Sequence, residues 1–84
     1  MKWFLCSVRD AKAGVFNVPF GAPNLAVAQR QFAAMCKDPD SMLSKFPADF
    51  SLYCSGEFSD EDCTVESFDI PKIVCEGSDF SKGV

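Results

Sequence analysis

Five cysteines (Cys6, Cys36, Cys54, Cys63 and Cys75) and a complete lack of histidine bound the chemistry open to this chain. Without an imidazole there is no Cys-His or Ser-His pair to activate a nucleophile, and neither a G-x-S-x-G turn nor a phosphate-cradling glycine loop is present. The cysteines form no C-x-x-C pair, so a zinc site would need four thiolates drawn from widely spaced single positions. They read better as small buried hydrophobes, three of them on apolar strand or helix faces, held as thiols in a reducing compartment. The run Asp60-Glu61-Asp62, with Glu57 nearby, could offer carboxylate oxygens to a divalent cation. It has neither the glycine nor the spacing of an EF-hand loop, and reads as a solvated hairpin tip. The chain is therefore expected to be no enzyme and to carry no cofactor or metal.

A second set of residues suits binding. Lys2, Trp3, Arg9, Lys12, Phe16 and Arg30 lie in the first half of the chain, and Tyr53 on a later strand could join them. Aromatic rings on a sheet stack unpaired bases at roughly 1–3 kcal/mol each, while neighbouring cations follow the phosphates. The competing reading makes Trp3 and Phe16 ordinary core or dimer-interface residues. Net charge is −4 over 84 residues, a field that repels polyanions on average. The average hides an asymmetry: residues 1–45 hold six bases against three acids, and the remainder two bases against nine acids. A polyanion would have to meet the first half, unless both charge sets merely solvate the surface.

The elements that must position these side chains follow from periodicity. Lys2 to Arg9 reads as a strand apolar on both alternating sets, followed by a turn at Asp10 to Gly14 and an extended stretch, Val15 to Val18. Pro19, Gly21 and Pro23 are expected to break extended structure. Asn24 then caps a helix from Leu25 to Lys37, where Leu25, Ala28, Phe32, Met35 and Cys36 recur at helical spacing. Asp38-Pro39 ends it, and a short turn of helix runs from Ser41 to Phe46. Phe50, Leu52, Cys54 and Phe58 alternate with Ser51, Tyr53, Ser55 and Glu57, a strand with one inward face. Ser59 to Asp62 turns the chain back into a strand from Cys63 to Phe68, and Ile73 to Cys75 adds a short edge strand. The fold class expected is α+β: a small antiparallel sheet of four to five strands in β-β-α-β-β order, with one amphipathic helix on one face. At this length there is room for a single domain, placed at 1–77, with a loose tail over 78–84. No signal peptide or membrane span is expected.

Read together, Val8-Arg9-Asp10-Ala11-Lys12-Ala13, Val18-Pro19-Phe20, Ala28-Gln29-Arg30-Gln31-Phe32, Pro47-Ala48-Asp49-Phe50-Ser51-Leu52-Tyr53 and Gly56-Glu57-Phe58-Ser59-Asp60 resemble the small nonstructural protein of gokushovirus-type microviruses, which are single-stranded DNA phages. The resemblance covers roughly residues 2–73. It departs at Ser59, where that family usually carries aspartate, and in the five cysteines. It implies a protein of the host cytoplasm, made during infection and left out of the virion, of a kind often labelled DNA-binding.

The function expected is non-enzymatic binding of single-stranded DNA during viral genome replication or packaging. Lys2, Arg9, Lys12 and Arg30 would meet phosphates, with Trp3 and Tyr53 as stacking rings and Phe16 as part of the same surface. The alternative is a protein-protein adaptor acting on the phage replication initiator, procapsid or a host factor through the acidic second half. A third class, a metal-dependent nuclease using the acidic run, would need Mg²⁺ at Asp60 and Asp62. A homodimer is expected in any case, because one long helix cannot cover both faces of an apolar sheet.

Overall fold

The computed structural model describes residues 1–80. Its central strand is β1 (Lys2–Asp10), which is paired on both edges. On one edge lie β2 (Val15–Phe16) and β3 (Phe20–Ala22), with Arg9 opposite Phe16 and Cys6 opposite Phe20. On the other edge lies β4 (Phe50–Ser59), and β5 (Thr64–Glu76) pairs with β4 from beyond. All pairings are antiparallel, so the expected α+β architecture is the one observed. Among the described residues no helix is long and apolar enough to cross a membrane.

The second strand departs from expectation. Rather than running from Val15 to Val18 and stopping, the chain leaves the edge of β1 at Asn17 and rejoins it at Phe20. Pro19 has no N–H for the ladder, so residues 17–19 bow outward and leave Val18 exposed. The gap is closed locally: the Asn17 N–H donates to the Val8 carbonyl at 2.8 Å, and the buried Ser7 hydroxyl donates to the Asn17 carbonyl.

Helix α1 (Leu25–Lys37) begins where the Asn24 side chain accepts from the Val27 N–H at 2.9 Å, satisfying a donor that the first turn leaves free. It ends at Asp38, which the following proline holds extended. Ala28, Phe32 and Cys36, four residues apart, form its buried stripe. That stripe packs on the inner face of the sheet, made by Cys6, Val8, Leu52, Cys54 and Cys75. A short helix α2 (Met42–Lys45), capped by Ser41, and a 3-10 turn at Pro47–Asp49 lead into β4.

One extra residue in β4 decides what the other face carries. Leu5 pairs with Gly56, but Cys6 pairs with Cys54, so Ser55 is a bulge without a partner in β1. Beyond it the alternation reverses. Phe58 therefore does not share a face with Phe50, Leu52 and Cys54, as simple alternation predicts; it lies opposite Trp3 on the outer face. Gly56 allows the close pairing, since a Cβ there would overlap the Glu66 carbonyl oxygen. The two separate strands expected after the acidic turn are one bent strand, β5, in which residues 68–71 bulge between the pairs Gly56–Ser67 and Cys54–Lys72. Pro71 is tolerated because β5 is an edge strand.

The expected boundary at residue 77 also moves. Gly77–Phe80 form a 3-10 turn, and Phe80 packs edge-on against Phe32 with ring centroids 6.1 Å apart. Residues 78–80 of the expected loose tail thus belong to the packed domain, and 81–84 lie outside the described residues.

All five cysteines are free thiols, and four are buried. Burial pushes the Cys6 thiol up to about 12, with the neighbouring Cys54 adding to the effect. Burial likewise, with the Asp79 charge behind it, pushes Cys75 up to about 11. Such thiols are poor nucleophiles, which fits the reading of these cysteines as small core hydrophobes. Cys63 alone is exposed, at the hairpin tip with φ 61°.

Two outcomes follow from this packing. A maleimide at neutral pH should modify one thiol in the native protein, mapping to Cys63 by mass spectrometry, and all five in denaturant. Gly56→Ala should lose about 1–3 kcal/mol by urea unfolding, through forced displacement of β5. Gly21→Ala, where a Cβ meets nothing within 4 Å, should stay within about 0.5 kcal/mol.

Candidate nucleic-acid interface

The seven residues singled out in the sequence fall into three places. Arg9, Phe16 and Tyr53 come together on the outer face, from adjacent strands in the order β2, β1, β4. The register sets Phe16 opposite Arg9, and Tyr53 opposite Ser7, two residues along the same face. The Arg9 guanidinium carbon lies 5.1 Å from the centre of the Phe16 ring, within cation–π range. The Phe16 ring meets Tyr53 edge to face, with centroids 5.3 Å apart and planes at 86°. Lys12 belongs to the same end of the molecule. It sits in the turn after β1, where the Asp10 carboxylate accepts from the Lys12 and Ala13 N–H groups at 3.1 and 3.2 Å.

Beside these rings opens a cleft of about 210 Å³. Phe16, Tyr53, Pro19 and Pro71 form its apolar walls, and Ser7 and Ser55 contribute polar atoms. Both hydroxyls donate inward, Ser7 to the Asn17 carbonyl and Ser55 to the Leu5 carbonyl at 3.3 Å. Their oxygens are left to act as acceptors. Pro19, Ser55 and Pro71 were not singled out from the sequence as site residues. Each sits at an irregularity, the looped segment 17–19 or a bulge of β4 or β5, and the cleft exists because those irregularities coincide.

Lys2 and Trp3 lie at the opposite end of β1, among acids. The Lys2 ammonium is 3.8 Å from Glu57 and 4.0 Å from Glu66. The Trp3 indole N–H donates to Asp60 at 2.9 Å, and the Asp60 carboxylate also accepts from the Met1 amine at 2.8 Å. At about 3.3 Å per residue, six residues of strand put Trp3 roughly 20 Å from Arg9. Arg30 is in a third place. It is exposed on α1, two residues from the buried Ala28 and so about 200° around the helix, on the side of the molecule away from the outer sheet face. The structure thus brings together Arg9, Phe16 and Tyr53, sets Lys12 at the same end beside Met42, Phe46 and Asp49, and separates Lys2, Trp3 and Arg30 from them.

A family model described as Phage ORF5 protein matches residues 3–80, nearly the whole chain. The chain belongs to the Phage ORF5 protein family. No curated protein and no solved structure matches it. In this Phage ORF5 protein the matched region takes in both ends of the outer face, the Arg9–Phe16–Tyr53 array and the acidic hairpin tip.

The acidic end carries its own pH dependence. Bonds from the amine and the Trp3 indole hold the Asp60 carboxyl below its ordinary value of 3.8. Thr64 and Ser59 do the same for Asp62. A carboxylate with a depressed value in the folded state stabilises the fold above its unfolded value, and that contribution is lost as pH falls through the folded value. Trp3 fluorescence, from the only tryptophan in the chain, should therefore be constant at neutral pH and change as pH drops below 3.8. Asp60→Asn should abolish that acid-induced change while leaving the neutral-pH fold intact by circular dichroism.

Proposed function

We propose that this phage protein binds single-stranded DNA in the host cytoplasm, during replication or packaging of a genome of the microvirus kind. The observation that carries the reading is the Arg9–Phe16–Tyr53 array on an uncovered sheet face, bordered by an apolar cleft. Single-stranded DNA presents flat apolar bases on a flexible, regularly charged backbone, and sequence-tolerant binders meet it with exposed rings and flanking cations. Phe16 and Tyr53 offer the ring surface, and Arg9 and Lys12 offer the cations. Neither Arg9 nor Lys12 takes part in an ion pair among the described residues. Lys2, held between Glu57 and Glu66, is no longer assigned a phosphate. Binding of this kind uses no bond-breaking step.

Fluorescence anisotropy with labelled oligothymidine tests the reading. Tyr53→Ala or Phe16→Ala should weaken binding by roughly 5- to 150-fold, the equivalent of about 1–3 kcal/mol of lost stacking. Arg9→Ala and Lys12→Ala should each flatten the salt dependence, by about 0.7 in the slope of log K against log salt for a single strand. Arg30→Ala, on the far side, should change neither. If no oligonucleotide binds at low ionic strength, the reading falls. The adaptor reading then takes its place, supported by the exposed acids of the β4–β5 hairpin, Glu61, Asp62 and Glu66.

A further inference from the structure

The floor of the cleft beside Phe16 and Tyr53 is polar in one sense. Ser7 stands opposite Tyr53 in β1, and Ser55 follows Tyr53 by two residues in β4, so two short hydroxyl side chains flank the ring. A serine hydroxyl holds one proton and two lone pairs. Each proton is already committed, that of Ser7 to the Asn17 carbonyl and that of Ser55 to the Leu5 carbonyl at 3.3 Å. Ser7 is 6% exposed and lines the cleft. Turning either hydroxyl outward to donate forfeits a bond already made within the sheet. The two serines therefore offer lone pairs to an occupant. The Asn17 carboxamide and the Tyr53 hydroxyl also line the cleft, but each has both a donor and an acceptor and suits either kind of partner.

The walls fix what can enter. No charged side chain lines the cleft, so the group it suits is neutral, a base rather than a phosphate. The planes of Phe16 and Tyr53 stand at 86°, so the two rings form a corner in which a flat ring laid on one meets the other with its edge. Pro19, in the looped segment 17–19, and Pro71, in the bulge of β5, close the sides. The volume is about 210 Å³. At about 30 Å³ per water this is the space of about seven waters, enough for one base and too little for two.

We propose that the cleft holds a single base of the bound strand and prefers one with an exocyclic amino group, such as cytosine or adenine, over thymine or uracil. The amino group of cytosine carries two N–H bonds, one for each serine oxygen. Thymine and uracil present a carbonyl at the same ring position, which sets lone pairs against lone pairs with no proton between them. Selection then comes from rejection of the wrong base as much as from attraction of the right one. The preference rests on the proposed function and narrows it from any base to a class of base.

Fluorescence anisotropy with labelled oligodeoxycytidine and oligodeoxyuridine of equal length, near neutral pH, tests the preference. The two bases differ only at the amino or carbonyl group and the protonation of the adjoining ring nitrogen, so stacking on the rings is closely matched. The wild type should bind oligodeoxycytidine at least about fivefold more tightly, the low end of what a matched pair of hydrogen bonds discriminates. Ser55→Ala should bring the two affinities to within about twofold of each other, since it removes one of the paired acceptors. Ser7→Cys keeps the shape of the buried side chain but offers only a weakly accepting sulfur, and should lower the ratio in the same direction. A merely structural loss weakens both oligonucleotides together and keeps the ratio, so a ratio that survives both substitutions overturns the proposal. Equal binding of the two oligonucleotides by the wild type also overturns it, and leaves the DNA reading standing. If neither oligonucleotide binds at low ionic strength, the DNA reading falls and the base preference falls with it.

Discussion

Alternation along a strand gives each side chain to one of two faces, and a single unpaired residue hands everything beyond it to the other. In this protein that residue is Ser55. Before it, Phe50, Leu52 and Cys54 join the core under α1; after it, Phe58 turns outward beside Trp3. The helix is 13 residues long and has one buried stripe, so it can cover one face of the sheet and no more. The bulge thus leaves the far half of the sheet with its larger rings on the uncovered side. Gly56 makes the arrangement feasible by letting β5 approach where any side chain would meet the Glu66 carbonyl.

Charge is distributed along this face rather than around the molecule. The six bases of residues 1–45 and the nine acids of the remainder are well separated in sequence, yet β1 and β4 run antiparallel across the whole sheet. The start of β1 therefore meets the acidic turn after β4, and its end turns through Lys12. Lys2 and Trp3 are claimed by carboxylates at the first end, while Arg9 is left with an aromatic ring at the second.

How much of this could be read in advance depends on whether the deciding interaction was local. Helix α1 could be read to the residue, since Asn24, the four-residue spacing of Ala28, Phe32 and Cys36, and Asp38-Pro39 are all signals within the element itself. The split of the second strand around Pro19 and the continuity of β5 through Pro71 could not. A proline reads as a break, and only the pairing partner shows that it stands where no hydrogen bond is needed. The site was half legible for the same reason. Residue type pointed to Arg9, Phe16 and Tyr53, but their meeting depends on the β1–β4 register, and the separation of Trp3 depends on Asp60, 57 residues away. Phe80 read as tail because nothing near it in the chain announces its contact with Phe32.

The position of β1 has a consequence for synthesis. It leaves the ribosome before the other strands of this sheet yet ends in the middle of it, and its second partner is β4. The roughly forty residues between Asp10 and Phe50 take about 2–8 s to translate at about 5–20 residues per second. Throughout that interval Trp3, Phe4 and Leu5 travel on the nascent chain with one strand edge open. The hairpin with β2 and β3 can occupy the other edge early, but the sheet cannot close until the ribosome has passed Ser59.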